Sequence, residues 1–296
     1  MSERNFRKML EAQWDKGNFV CVGLDSDIDK VLEIVNKGDY LETMCSFNRD
    51  RIEATRDLVC AFKINIAFYE NRGNIGWFVL ETTVKDIHKL APDVPVILDA
   101  KTDIGHSNLE YVYMAFNLLK VDAITVNPYL GAEALKPFLE QKGKGIIVLC
   151  RTSNPGAGEF QDLLVKPSLN EAKSWGIARS SLDVDNYTSW DIEDDMPLYQ
   201  YVAYRVSREW NKNGNCALVV GATYPKELRE VRKIVGDMPI LIPGIGAQGG
   251  DIEKTVNAGK DSRGQGMIIN SSRGIIFAKE PRQAAIELHN LINRYR

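Results

Sequence analysis

The chain has 296 residues, of which 44% are hydrophobic and 26% are charged, a balance typical of globular proteins that argues against extensive disorder. Its formal net charge is −3, so we expect neither nucleic acid nor an anionic membrane as a partner. No apolar run approaches the roughly 20 residues of a membrane helix, and the charged N-terminal segment resembles a helix rather than a secretory leader. Five cysteines without metal-binding spacing fit a reducing compartment, so a cytoplasmic location is expected.

Short apolar segments alternate along the chain with segments whose apolar residues recur at helical spacing. The predicted strands are, in chain order, Phe19–Leu24, Leu58–Ile64, Val94–Asp99, Ala123–Val126, Gly145–Cys150, Cys216–Val220, Pro239–Ile242 and Gly266–Ile269. Most are rich in Val, Ile and Leu without alternation, which is typical of parallel strands covered on both faces. Eight such strands predict an α/β fold, a (β/α)8 TIM barrel forming a single domain over residues 1–296. An open doubly wound sheet is the alternative.

A polar stretch between Lys166 and Met196 interrupts this alternation. It is longer than the usual connection between elements and is interpreted as an insertion. One hypothesis is a surface excursion with a short helix around Leu169–Ile177. The other is a lid over the substrate, because active sites of barrels lie at the C-terminal ends of the strands.

Charged residues stand at the ends of three predicted strands. The third strand runs into Asp99, Lys101 and Asp103, which a continued strand would direct to one face. Lys63 ends the second strand, and Asp25 follows the first. Charges inside a barrel are costly unless they are paired or functional, so their convergence predicts an active site at the barrel mouth. Structural ion pairs at the strand ends are the alternative.

The segments after the last two strands have the features of an anion site. Residues 241–251 read LIPGIGAQGGD, whose glycines, Gly246 and Gly249 among them, let backbone N–H groups approach an anion closely. Residues 270–274, NSSRG, add the guanidinium of Arg273. Loops after the seventh and eighth strands bind phosphate in many such barrels. The pattern is not the GxGxxG of a dinucleotide fold, and a simple tight turn is the alternative.

The sequence resembles the orotidine 5'-phosphate decarboxylases, particularly their longer bacterial and protozoan forms. The resemblance spans nearly the whole chain and rests on motifs that occur in the order of that family: GLDSD, AFKIN, ILDAKTDIG, TVNPYLG, TSNPGAGEFQDLL, VVGATYP, IPGIGAQGGD and NSSRGII. It implies decarboxylation of orotidine 5'-monophosphate (OMP) to UMP in pyrimidine biosynthesis, without a cofactor or metal. It also implies a homodimer with shared active sites.

The resemblance implies a role for each matching residue. Lys101 stabilises the carbanion at C6 of the pyrimidine and protonates it, and Asp99 lies against the substrate carboxylate. Lys63 bridges the ribose and the acidic cluster. The remaining implied substrate contacts are Asp25 with the ribose, Ser153 with the pyrimidine, and Gln248 and Arg273 with the phosphate.

One motif departs from the family pattern. The family has Asp-x-Lys-x-x-Asp, whereas this chain has Asp99-x-Lys101-x-Asp103, one residue shorter. Asp103 aligns with the last aspartate across the deletion, and the resemblance implies that Asp103, Ile104 and Ser107 reach the neighbouring subunit's site. Two further functions stay open, a Mg²⁺-dependent sugar-phosphate lyase of the same superfamily and a catalytically impaired protein that binds UMP or OMP.

Overall fold

The computed structural model describes residues 4–176, 195–245 and 250–296. Its strands are β1 Val20–Gly23, β2 Val59–Asn65, β3 Val96–Thr102, β4 Ala123–Val126, β5 Gly145–Arg151, β6 Leu164–Val165, β7 Met196–Pro197, β8 Cys216–Val220, β9 Ile240–Ile242 and β10 Met267–Ser271. Its α-helices are α1 Phe6–Asp15, α2 Ile28–Leu32, α3 Tyr40–Thr55, α4 Ala67–Glu70, α5 Gly73–Leu90, α6 Asn108–Val112, α7 Gly131–Leu139, α8 Gly158–Gln161, α9 Leu169–Ser174, α10 Leu198–Tyr204, α11 Pro225–Val235, α12 Ile252–Gly259, α13 Arg273–Ile276 and α14 Pro281–Tyr295. Two π-helical segments, Tyr113–Leu118 and Arg205–Trp210, continue α6 and α10.

Eight of the strands form a closed barrel in the order β1-β10-β9-β8-β5-β4-β3-β2, with every neighbouring pair parallel. The prediction of a TIM barrel is confirmed, and the open doubly wound sheet is wrong because β1 pairs with both β2 and β10. Four strands continue past their predicted ends, to Asn65, Thr102, Arg151 and Ser271. Polar side chains therefore belong to the strands themselves, which fixes their direction more firmly than a loop would.

Apolar side chains hold the helices against the barrel. In α11, Leu228, Val231 and Val235 recur at helical spacing and are buried, and each such burial contributes about 1.5–3 kcal/mol. Pro225 begins the helix at a position that needs no N–H, and Gly236, with φ +59°, ends it. No helix in the described ranges is long and apolar enough to cross a bilayer.

The predicted insertion begins and ends at a small antiparallel pair of strands, β6 and β7. The predicted helix is present as α9, with a capping box between Ser168 and Glu171. After it, Trp175 is buried and stacks on Tyr204 of α10 with ring centroids 5.1 Å apart, which fastens the start of the insertion to the barrel. Residues 177–194 lie outside the described residues, so the lid hypothesis stays a prediction.

Candidate active site

The ends of β1, β2 and β3 bring four charged side chains together at the barrel mouth. Lys63 Nζ donates to Asp99 Oδ2 at 3.0 Å and lies 3.5 Å from Asp25 Oδ1. Lys101 Nζ donates to Asp99 Oδ1 at 2.7 Å. The predicted convergence of Asp25, Lys63, Asp99 and Lys101 is present as an alternating chain of ion pairs, and these four residues are called the charge cluster below.

Asp99 is the centre of the charge cluster. Besides the two lysines, Oδ1 accepts from Thr125 Oγ1 at 2.9 Å, a residue of the neighbouring strand β4. The same Thr125 hydroxyl accepts from the backbone N of Lys101 at 2.9 Å. Thr125 therefore fixes both the carboxylate and the backbone that carries the second lysine.

The two lysines of the charge cluster differ in how deeply their side chains are buried. The Lys63 side chain is only 5% exposed, whereas that of Lys101 is 49% exposed. Burial would lower the pKa of Lys63, but the charges of Asp99 and Asp25 raise it above its ordinary value. Burial would likewise raise the pKa of Asp99, but Lys63 and Lys101 hold it below its ordinary value. Both groups are therefore ionised at neutral pH, and only Lys101 offers an accessible ammonium.

The backbone at Lys101 is in a conformation rare for side chains other than glycine, with φ +49°. The register of β3 against β4 shifts between Leu98 and Thr102, so the strand bulges where the charges lie. Such strain costs on the order of 1–3 kcal/mol and is concentrated at functional sites. Asp99 and Lys101 therefore lie in a bulged part of β3, whereas the sequence prediction rested on a regular strand.

A cavity of about 360 Å³ opens above the charge cluster. Its lining includes six of the predicted site residues: Asp25, Lys63, Asp99, Lys101, Ser153 and Arg273. The guanidinium of Arg273 is exposed and forms no ion pair with any described residue, so it can receive an anion.

The sequence prediction missed several polar residues of the lining, namely Asn65, Thr152, Asn154, Gln161, Asn270 and Ser272. Asn65 could have been found, because it lies two residues beyond Lys63 on the same strand. Asn270 is buried, and its Oδ1 has no hydrogen-bond partner among the described residues. A buried carbonyl oxygen without a donor is costly, so this atom is suited to accept from a ligand.

Asp103, Ile104 and Ser107 are not part of the lining of the cavity. Asp103 Oδ1 accepts from Asn108 Nδ2 at 2.8 Å, while its other carboxylate oxygen is buried without a partner in the described ranges. Ile104 is 46% exposed and Ser107 is also exposed. The carboxylate of Asp103 is thus turned to its own loop.

Three predicted phosphate contacts, Gly246, Gln248 and Gly249, lie outside the described residues. Neighbouring residues are described, and Gly244, Ile245 and Ser272 line the cavity. No three His, Cys, Asp or Glu side chains within residues 4–176, 195–245 and 250–296 are grouped so that they could hold a metal ion.

Comparison with known proteins places this site in a family. Residues 18–288 match the model of the orotidine 5'-phosphate decarboxylase / HUMPS family. The chain is 44% identical to an orotidine 5'-phosphate decarboxylase of Cupriavidus metallidurans and 42% identical to one of Janthinobacterium sp., with 98% of each chain covered in both cases. The structure of Leishmania donovani OMP decarboxylase superposes with a TM-score of 0.79 at 34% identity, again over 98% of each chain. The chain therefore belongs to the orotidine 5'-phosphate decarboxylase / HUMPS family.

Proposed function

We propose that this protein decarboxylates OMP to UMP and CO2 without a cofactor. The observation that carries the proposal is the charge cluster, which presents one accessible ammonium, Lys101, held at 2.7 Å by the buried Asp99. The family to which the chain belongs and the names of its relatives support the same activity.

The geometry suits a reaction that develops negative charge at one carbon. Breaking the bond between C6 and the carboxylate releases CO2 and leaves the electron pair on C6. The Lys101 ammonium stabilises that charge and donates a proton to C6, which gives UMP and a neutral amine that regains a proton from water. Asp99, fixed by Lys63 and Thr125, keeps the ammonium in place before the charge develops.

The rest of the cavity binds the nucleotide. We assign Asp25 and Lys63 to the ribose and Ser153 to the pyrimidine, and Arg273 to the phosphate together with Gly246, Gln248 and Gly249. The phosphate lies away from the reacting carbon, so its binding energy serves to orient the substrate and is expressed in the transition state. The exposed guanidinium of Arg273 at the edge of the cavity supports this assignment.

We further propose that one catalytic domain spans residues 1–296 and that two subunits form a homodimer with shared sites. Asp103, Ile104 and Ser107 then complete the partner's site, and the exposure of Ile104 and Ser107 supports a contact there. Mixing inactive Lys101→Ala and Asp103→Ala dimers tests this arrangement, because the heterodimer keeps one intact site. Activity that does not reappear on mixing contradicts shared sites.

The proposed location is a reducing cytoplasm, and the proposed partners include no nucleic acid. All five cysteines are free, and four of them, Cys21, Cys60, Cys150 and Cys216, are buried, as a reducing compartment allows. The net charge of −3 supplies no overall basic field for nucleic acid.

The direct test is the change in OMP absorbance with purified protein in the presence of EDTA. Turnover in EDTA is the expected result, and turnover that appears only with added Mg²⁺ would favour the lyase chemistry of related barrels. UMP binding without any release of CO2 from OMP would instead show an impaired homologue. Either of these outcomes refutes the proposed function.

A further inference from the structure

The loop that follows β5, residues 152–162, supplies much of one wall of the cavity. Thr152, Ser153, Asn154 and Gln161 all belong to the lining. The two ends of the loop are joined, since Thr152 N donates to Gln161 Oε1 at 2.8 Å and Gln161 Nε2 donates to Thr152 Oγ1 at 3.2 Å. The middle of the loop reads GAG at 156–158 and leads into the short helix α8.

Arg151 lies immediately below this loop and outside the lining of the cavity. Its side chain is only 3% exposed, and its guanidinium forms an ion pair with Asp162 at the far end of the loop. Nη2 donates to Asp162 Oδ2 at 2.9 Å, and Nε lies 2.8 Å from Oδ1. Nη1 also donates to the carbonyl oxygen of Thr152 at 3.1 Å. One side chain thus contacts the first and the last residue of the loop.

The same guanidinium connects the loop to the next barrel strand. It lies over the ring of Tyr224, 3.8 Å from the ring centroid, and Tyr224 precedes α11 in the connection after β8. The carbonyl oxygen of Arg151 accepts from Gly221 N at 2.8 Å. A Cβ at Gly221 would lie only 2.8 Å from the Cα of Ser153, so the two connections are in close contact.

We propose that Arg151 is a positioning residue that holds the 152–162 loop in the conformation that binds substrate. This inference rests on the proposed function, which assigns Ser153 to the pyrimidine. An ordinary buried ion pair stabilises the whole fold, whereas Arg151 joins both ends of a loop that lines the cavity and holds that loop against the connection after β8. Its loss therefore changes substrate affinity more than it changes the stability of the barrel.

Asp162 lies next to the start of the insertion, so its ion pair with Arg151 also positions the chain that enters the insertion. It precedes Leu163, whose carbonyl oxygen accepts from Leu198 N at 2.8 Å, and β6 begins at Leu164. The Arg151–Asp162 pair thus lies where the loop leads into the insertion. A substitution at Asp162 tests the same pair while leaving the buried arginine and its stacking on Tyr224 in place.

The test compares wild-type protein with Arg151→Met, Arg151→Lys and Asp162→Asn in three measurements: steady-state kinetics with OMP, affinity for UMP, and amide exchange of peptides covering residues 152–162. We expect KM and the Kd of UMP to rise together, by about tenfold, because a displaced loop loses on the order of one hydrogen bond to the ligand. The value of kcat changes far less, since the loop binds substrate and transition state alike. Amide exchange of the loop becomes faster. Arg151→Lys keeps the positive charge but not the planar guanidinium, so its KM, UMP affinity and exchange rates lie between those of wild type and Arg151→Met.

Arg282→Met is the matched control. Arg282 pairs with Asp57 through two contacts of 2.7 Å, away from the cavity, so its loss removes another two-contact arginine–aspartate pair, at a more exposed position, without touching the loop. The inference is overturned if KM, UMP affinity and amide exchange of the loop stay at wild-type values in Asp162→Asn, or if Arg282→Met raises KM equally. If Arg151→Met does not fold, Asp162→Asn decides. If wild type neither turns over OMP nor binds UMP, the proposed function fails, and amide exchange alone still decides whether Arg151 orders the loop.

Discussion

Replacing Lys101 by Ala separates the chemistry of this site from its folding. The ammonium is assigned both the stabilisation of the carbanion and the transfer of its proton. Loss of one preorganised electrostatic contact costs about 100-fold to 1,000-fold, and loss of a general acid about 100-fold to 10,000-fold. Together they predict a fall in kcat of at least about 10,000-fold.

The same substitution has a small expected effect on stability. The Lys101 side chain is 49% exposed, so its ion pair with Asp99 contributes at most about 1 kcal/mol after solvent screening. Asp99 keeps Lys63 and Thr125 as partners. Alanine, like lysine, has a Cβ, so the strain of the positive φ angle is unchanged.

The assay is the decrease in OMP absorbance at substrate saturation, with UMP binding and thermal unfolding measured on the same preparation. Lys120→Ala is the matched control, because Lys120 also has a positive φ angle, +60°, and is not part of the lining of the cavity. The expected result is loss of turnover with UMP binding and the melting temperature retained. A Lys101→Ala protein that keeps more than about one tenth of the wild-type kcat would refute the role assigned to this ammonium.

Three further substitutions probe other parts of the molecule. Arg232 is buried and donates to four backbone carbonyl oxygens at 2.6–2.8 Å. Arg232→Met should therefore lower the free energy of unfolding, measured by urea denaturation, by about 3 kcal/mol or more. A loss below about 1 kcal/mol contradicts this expectation. Because the pKa of Asp99 is lowered in the folded state, its stabilisation is present above pH ~4 and is lost as pH falls. The difference in free energy of unfolding between wild type and Asp99→Asn should therefore be constant from pH ~5 to 7 and shrink below pH ~4. A difference that does not change down to pH ~2.5 contradicts the lowered pKa of Asp99. Asn270→Leu should weaken UMP binding about tenfold, because a ligand donor loses its acceptor, and unchanged affinity by calorimetry would exclude that contact.

The fold could be predicted from the sequence because strand-forming segments are a local property. Cys216–Val220 is an uninterrupted run of apolar residues and Ala123–Val126 is apolar except for Thr125, and the structure has both with the predicted bounds. The ends of β3 and β5 could not be placed, because both strands contain a register shift that only pairing with a neighbour defines. Parallel strands covered by helices can be recognised in a sequence as apolar segments, whereas a bulge has no comparable sequence pattern.

For the candidate site, the sequence by itself determined which charged residues stand at strand ends, Asp25, Lys63, Asp99 and Lys101 among them. Only the tertiary structure decided how they pair, that Thr125 of the adjacent strand supports Asp99, and that Asp103 bonds to its own loop. It also brought Arg151 and Tyr224 together from segments 73 positions apart. The physical reason is that a strand fixes the direction of a side chain locally, while distances between strands depend on barrel closure and on the register of non-adjacent parts of the chain.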